Sequence, residues 1–213
     1  MSDAAVHMEK MYRWQRHIYD FTRRPYLLGR DHMLERLGVP QNGSVLEVGC
    51  GTGRNLVHAA RLYPRARYLG FDVAPVMVET AQRSVARVGL EKSIRLAQGD
   101  ATNFDAQAMF GQAQFDRIFI SYSLSMIPDW KSVLERSADH LAQGGALLIA
   151  DFGSSEKLPR VFRTLLFKWL DMFSVHPRAE LETEMRRIAS VRGFKCDFEP
   201  LYGGYAVWGM MRR

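Results

Sequence analysis

The residues with the most chemical content lie between positions 47 and 72. Glu47-Val48-Gly49-Cys50-Gly51-Thr52-Gly53-Arg54-Asn55 closes an apolar run and opens a helical one. Glycines at alternate positions let a chain turn sharply and lie against a ligand with no Cβ in the way. The spacing discriminates among ligands. A dinucleotide fingerprint places its third glycine at position 54, where this chain has Arg54. A phosphate-cradling loop would continue Gly-Lys-Ser or Gly-Lys-Thr, and this one does not. Downstream, Gly70-Phe71-Asp72 sets a carboxylate 72 − 53 = 19 residues beyond the last loop glycine. At the tip of a second strand such a carboxylate can accept hydrogen bonds from both hydroxyls of a ribose, or cap the helix that Pro75 opens. Gly99-Asp100-Ala101-Thr102 and Ser121-Tyr122-Ser123 also follow apolar runs. There is no His, Cys and carboxylate cluster with metal-ligand spacing, and Cys50 and Cys196 make no motif, which excludes a disulfide framework.

Loops of this kind need strands to hold them. Ser44–Gly49, Arg67–Phe71, Ile94–Ala97, Phe115–Ile120 and Ala146–Ala150 read as short buried strands. Asn55–Leu62, Val76–Val88 and Ser132–Leu141 read as helices between them, with Pro64 and Gly89 as stops. That alternation predicts a doubly wound α/β fold: a mostly parallel sheet with helices on both faces. Phe194–Phe198 and Tyr205–Met211, separated by Gly203-Gly204, predict an antiparallel edge hairpin. With no repeat, low-complexity tract or long linker, one domain is expected. Its parts are an N-terminal helical cap over 1–40, a core over 41–152, and lid helices with the hairpin over 153–213.

The 213 residues are 47% hydrophobic and 24% charged, too apolar and too evenly charged for a disordered chain. No run approaches the roughly 18–20 apolar residues of a membrane span, and the first ten residues lack the apolar core of a secretion signal; a cytoplasmic protein is expected. The net charge of +6 suits nucleic acid, anionic lipid or an acidic small molecule. It is concentrated near the N-terminus, where Lys10, Arg13, Arg16, Arg23, Arg24 and Arg30 face the single acid Asp20 and are interleaved with Tyr12, Trp14, Tyr19, Phe21 and Tyr26.

Val45-Leu-Glu-Val-Gly-Cys-Gly-Thr-Gly53 closely resembles the first motif of class I S-adenosylmethionine (SAM) methyltransferases. The resemblance extends over Gln41–Phe152 and implies a Rossmann-like sheet, SAM as cofactor, S-adenosylhomocysteine as product and no metal. It implies that Glu47, Gly49, Gly51, Gly53 and Asn55 form the cofactor shelf and that Asp72 holds the ribose. Met77 would pack on adenine, though core packing explains it as well. Asp100, with Ala101 and Thr102, would meet the adenine amino group, and Ser121 and Tyr122 would face the methionine part and the acceptor.

For the acceptor, Met11–Asp31 resembles the opening of bacterial diacylglyceryl-homoserine N-methyltransferases of betaine-lipid synthesis. It resembles more loosely the opening of phospholipid N-methyltransferases and quinone C-methyltransferases. The first resemblance implies three methyl transfers to a lipid headgroup carrying an amine and a carboxylate. Tyr19 and Tyr122 would orient the amine, and their ring faces tolerate a growing cation. Arg30, or failing it Arg16, would grip the carboxylate in bidentate fashion; His17 and His176 are candidate bases. An enzyme supplying the homoserine lipid is an expected partner. The apolar and basic segment Pro159–Val175 has the helical spacing of a helix packed on the core, and its wide apolar face with Arg163 and Lys168 also suits a lid over an acyl chain or an interfacial helix, hence a peripheral enzyme on an anionic membrane. Two other readings are a SAM-binding regulator without catalysis and a nucleic-acid binder. The latter is not expected, because Ser121-Tyr122-Ser123-Leu124 stands where a base methylase carries Asn-Pro-Pro-Tyr.

Overall fold

The computed structural model describes residues 27–213. The chain runs α1 (Arg30–Glu35), β1 (Ser44–Val48), α2 (Arg54–Leu62), β2 (Arg67–Asp72), α3 (Pro75–Arg87), β3 (Ile94–Gln98) and α4 (Ala106–Phe110). It continues with β4 (Phe115–Ser121), a 3₁₀ turn at Leu124–Met126, α5 (Trp130–Asp139), β5 (Leu141–Phe152), α6 (Arg160–Asp171), α7 (Leu181–Arg192), β6 (Lys195–Leu201) and β7 (Ala206–Arg212). The strands form one sheet in the order β3-β2-β1-β4-β5-β7-β6. β1 to β5 are parallel, while β7 runs antiparallel to both β5 and β6. The expected parallel sheet with an edge hairpin is the one observed.

Alternation along the strands divides the core in two. Leu46, Val48, Ile118, Ile120, Leu147 and Ile149 meet α4, α5 and α7 on one face. Val45, Phe119 and Leu148 meet α1, α2, α3 and α6 on the other. Because β1 and the Ala146–Ala150 part of β5 are covered on both sides, they read as near-continuous apolar runs, whereas the edge strand β3 exposes Arg95 and Gln98. Each such buried Leu, Ile or Phe contributes about 1.5–3 kcal/mol relative to exposure. The odd residue in β1 is Glu47, which shares the face of Val45 and therefore points under α1 and α2.

Local chemistry sets the ends of the helices. Pro75, at the first position of α3, has the φ a helix needs and no N–H to waste. The Asp105 carboxylate caps α4 by accepting from the Ala108 N–H at 3.1 Å. Gly193, at φ +70°, ends α7 in the left-handed conformation.

The structure corrects several boundaries. β5 begins at Leu141 rather than Ala146, so Leu141 leaves the preceding helix, and Gly144-Gly145 lie inside the strand at a register shift opposite Phe115–Arg117. A Cβ on Gly145 would come within 2.8 Å of the Ala142 carbonyl oxygen, so the irregularity requires glycine there. α5 starts at Trp130 rather than Ser132. Two helices were not foreseen. α4 has five residues, too few for a periodic signal, whereas α7 had one in Leu181, Met185, Ile188 and Ala189, all buried on one side.

Candidate functional site

The chain winds outward from β1 through β2 to β3, then crosses to β4 on the other flank of β1. Ligands of open α/β sheets bind at such a switch point, beyond the carboxyl ends of the strands. The glycine loop leaves β1 there. Gly49, Gly51 and Gly53 have φ of +72°, +51° and +75°, all in the left-handed region. A Cβ on Gly49 would come within 2.9 Å of the Ser123 side chain, whereas one on Gly51 would meet nothing within 4 Å. Gly49 is thus required by close packing, and Gly51 leaves an open backbone surface. Asp72, at the tip of β2, ties that surface in place: Oδ2 accepts from the Gly51 N–H at 2.9 Å and Oδ1 from the Ala74 N–H at 3.0 Å. Burial raises its pKa against the lowering effect of these hydrogen bonds. Each oxygen retains a lone pair for a further donor.

Beneath the loop, Glu47 is fully buried. Its Oε1 accepts from the Asn55 side-chain amide at 2.8 Å, and its Oε2 has no partner among the described residues. Desolvation, opposed by the Asn55 hydrogen bond, pushes its pKa up to about 8. On β4, the buried Ser121 Oγ is likewise without a partner among the described residues. Two adjacent strands therefore each carry, near their carboxyl ends, a buried polar atom without a partner among the described residues, Glu47 Oε2 and Ser121 Oγ, which is costly unless a ligand meets it.

The other wall comes from the residues leading into α1. Tyr122 adopts φ +56°, unusual for a bulky side chain, and packs edge-on against Phe152 with ring centres 4.7 Å apart. Its buried hydroxyl donates to the Leu28 carbonyl. It thereby pins the start of α1 to the end of β4, with its proton directed at the backbone rather than at open space. Arg30 follows, its Nε donating to the Leu27 carbonyl at 3.1 Å. Burial first, and the Arg54 guanidinium second, lower its pKa, against the raising influence of Tyr122, Asp31 and Glu47. A partly desolvated cation thus stands beside the glycine loop.

The remaining expected residues scatter around this centre. Asp100 is exposed after β3, its Oδ1 accepting from the Thr102 N–H at 2.9 Å and the Thr102 hydroxyl at 2.8 Å. Ala101 is buried among the core side chains below that turn. Met77 is buried on the inner side of α3, whereas neighbouring Val73 is exposed at the Asp72 tip. His176 lies on the loop after α6, with its Nδ1 3.6 Å from Asp171, too long for a hydrogen bond. Tyr19, Arg16 and His17 lie outside the described residues. Among the described residues no group of three or more His, Cys, Asp or Glu side chains is placed to hold a metal.

One contributor escaped the sequence reading. Asp151, fully buried near the end of β5, accepts from the Phe152 N–H at 2.7 Å and the Ser125 N–H at 3.2 Å. It anchors the 3₁₀ turn that follows Ser121–Ser123. Arg178 holds the same turn by donating to the Leu124 and Ile127 carbonyls at 3.0 and 2.8 Å. Desolvation raises Asp151 to about 6, against the hydrogen bonds it accepts. A lone acid ending the apolar run Ala146–Ala150 was its only signal.

Residues 45–145, from β1 into β5, match the family described as methyltransferase domain. That stretch of the chain is similar to a methyltransferase domain. Among the relatives of that domain, methyltransferase str2 of Strobilurus tenacellus is 33% identical over 144 residues, 65% of this chain and 47% of its own length. The phosphatidylethanolamine N-methyltransferase of Cereibacter sphaeroides is 32% identical over 120 residues, 56% of this chain and 55% of its own. The chain thus spans about half the length of these curated relatives. The fold matches the crystal structure of a SAM-dependent methyltransferase from Aquifex aeolicus, with TM-score 0.64, 18% identity and coverage of 89% and 92% of the two chains. The site fits the methyltransferase cofactor. Gly51 leaves open backbone, Asp72 offers acceptors for hydroxyls, and Glu47 Oε2 and Ser121 Oγ are unspent.

Proposed function

We propose that the chain transfers methyl groups from SAM to the amine of diacylglyceryl-homoserine, three times over, to give the trimethylated betaine lipid. The observation that carries this reading is the partly desolvated Arg30 beside the glycine loop and Glu47. A guanidinium there can hold a headgroup carboxylate by two parallel hydrogen bonds. The acceptor amine would then sit at the open side of the loop, and alignment supplies much of the rate of such a displacement. The N-terminal resemblance and the lipid-amine substrate named for the Cereibacter relative support a lipid amine as acceptor.

SAM, when bound, supplies a methyl group on a positively charged sulfur. Asp72 would hold its ribose hydroxyls, and Asp100 with Ala101 and Thr102 its adenine edge. Glu47, ionised on meeting an ammonium, would hold the amino end of the methionine part, with Ser121 beside it. Tyr122 acts as a positioning residue, because its hydroxyl fixes the backbone from which Arg30 projects. The amine must lose its proton before each transfer, to water or a nearby base, a step typically worth about 10²–10⁴-fold. His176 is the described candidate. An enzyme that builds the homoserine lipid is the expected partner.

The Cereibacter relative favours a second reading, phosphatidylethanolamine as acceptor. The test offers labelled SAM with vesicles containing the homoserine lipid, phosphatidylethanolamine or a demethylated quinone. Mono-, di- and trimethyl homoserine lipid is the expected product. Label in phosphatidylethanolamine would move the assignment to that lipid, and label in the quinone alone would overturn the amine reading.

A further inference from the structure

Helix α6 spends only part of its circumference on the protein. Leu166 and Leu170 are buried beneath it. On the outer side Val161, Leu165 and Met172 are 74%, 62% and 71% exposed, and Phe162 is 48% exposed. At about 100° per residue these four side chains fall within one sector of the helix. Single exposed apolar residues are ordinary, but a contiguous stripe marks an interaction surface.

The surrounding charge narrows what covers it. Between Glu156 and Phe173 the cations Lys157, Arg160, Arg163 and Lys168 stand against Glu156 and Asp171. Lys168 borders the stripe and also lines, with Arg163, His176 and the single carboxylate Asp171, a cavity of about 740 Å³ beside the helix. Ser154, just beyond β5, lines the same cavity, so it opens at the carboxyl end of the sheet, as the glycine loop does. Apolar side chains flanked by long cations suit a helix lying in a bilayer interface. The stripe enters the acyl boundary, and the cations extend their apolar stems and keep their heads at phosphate depth.

We propose that α6 docks the protein on an anionic bilayer, its outer stripe entering the acyl boundary while a phospholipid phosphate meets Arg163 and Lys168 at the mouth of the cavity. The contact stands on α6 and its cavity and is independent of which acceptor is methylated. To the lipid-acceptor reading it adds a way to present a headgroup to the site with the acyl chains still in the membrane.

The test is co-sedimentation of the full chain with vesicles of phosphatidylcholine alone or mixed with phosphatidylglycerol, beside calorimetry of SAM binding. Binding to the anionic vesicles is expected to exceed that to the neutral ones by about tenfold or more. The double variant Val161→Glu/Leu165→Glu is expected to lose about tenfold of it with SAM affinity unchanged, since both side chains are exposed. Arg163→Ala/Lys168→Ala should shrink the anionic preference several-fold. No vesicle binding by a protein that binds SAM would overturn the proposal, as would a double variant that binds like the parent. A dimer dissolved by the same double variant, without vesicle binding, would instead assign the stripe to a second copy. Vesicle binding with no methylated lipid amine would leave the docking and remove the acceptor reading. Methylation of a short-chain, dispersed homoserine lipid without vesicle binding would do the reverse.

Discussion

Asp72 serves two masters. It fixes Gly51 through one oxygen and Ala74 through the other, and it still has lone pairs for a ribose. Asp72→Ala therefore removes the loop's tie together with the acceptor proposed for the ribose. A loss of SAM affinity of at least about tenfold is expected, since a hydrogen bond to a charged group is worth about 1.5–3 kcal/mol; calorimetry showing unchanged affinity would refute the ribose assignment. Arg30→Ala, by contrast, should raise the KM for the proposed lipid acceptor while leaving SAM affinity near that of the parent. Glu47 makes a prediction of another kind. Near neutral pH its carboxyl, with a pKa of about 8, is mostly protonated in the free protein. A ligand ammonium favours the ionised form, so binding releases a proton, and affinity should rise with pH up to about 8. Titrations in buffers of differing ionisation enthalpy measure that proton directly; finding none would remove Glu47 from the cofactor site.

Among elements, the end of β4 and the turn after it hold the most at stake. Tyr122 in a left-handed conformation, its bond to Leu28, and Asp151 with Arg178 behind the 3₁₀ turn keep that wall in one arrangement. Asp151→Asn keeps the volume but replaces one acceptor oxygen by a donor facing an N–H. It should cost about 1–3 kcal/mol, read as a lower midpoint in denaturant, with any effect on SAM affinity following the displaced Ser121 and Tyr122.

For the whole molecule, the raised carboxyls Glu47, Asp151 and Asp72 act on stability in the same direction. Glu47 and Asp151 titrate near 4.5 and 3.8 when unfolded but at about 8 and 6 when folded. The unfolded chain gives up these protons first, so stability is greatest below the unfolded values and declines as pH rises through the folded ones. Thermal melting of the free protein should fall between about pH 5 and 8, because ordinary surface carboxylates have finished titrating by then. Saturating SAM should flatten the upper part of that decline. A melting temperature rising across this range would contradict the assignment of buried protons.

The order of strands and helices, the hairpin, the glycine loop and Asp72 were legible in the one-dimensional chain because each is encoded locally. Strands covered on both faces leave short apolar runs, glycines stand where a Cβ cannot, and an acid after a strand has a fixed place in such sheets. α4 was too short to show a period, and the start of β5 was hidden by a glycine pair that reads as a break. Other features were decided only by folding, which brings together residues far apart in the chain. The burial and half-used hydrogen bonding of Glu47, the commitment of the Tyr122 hydroxyl to Leu28, and the grip of Asp151 on Ser125 are of this kind. So is the exposure of one side of α6, whose sequence pattern alone would equally describe a helix lying on the core. Periodicity shows which side chains share a face, but neighbours distant in sequence determine what that face meets.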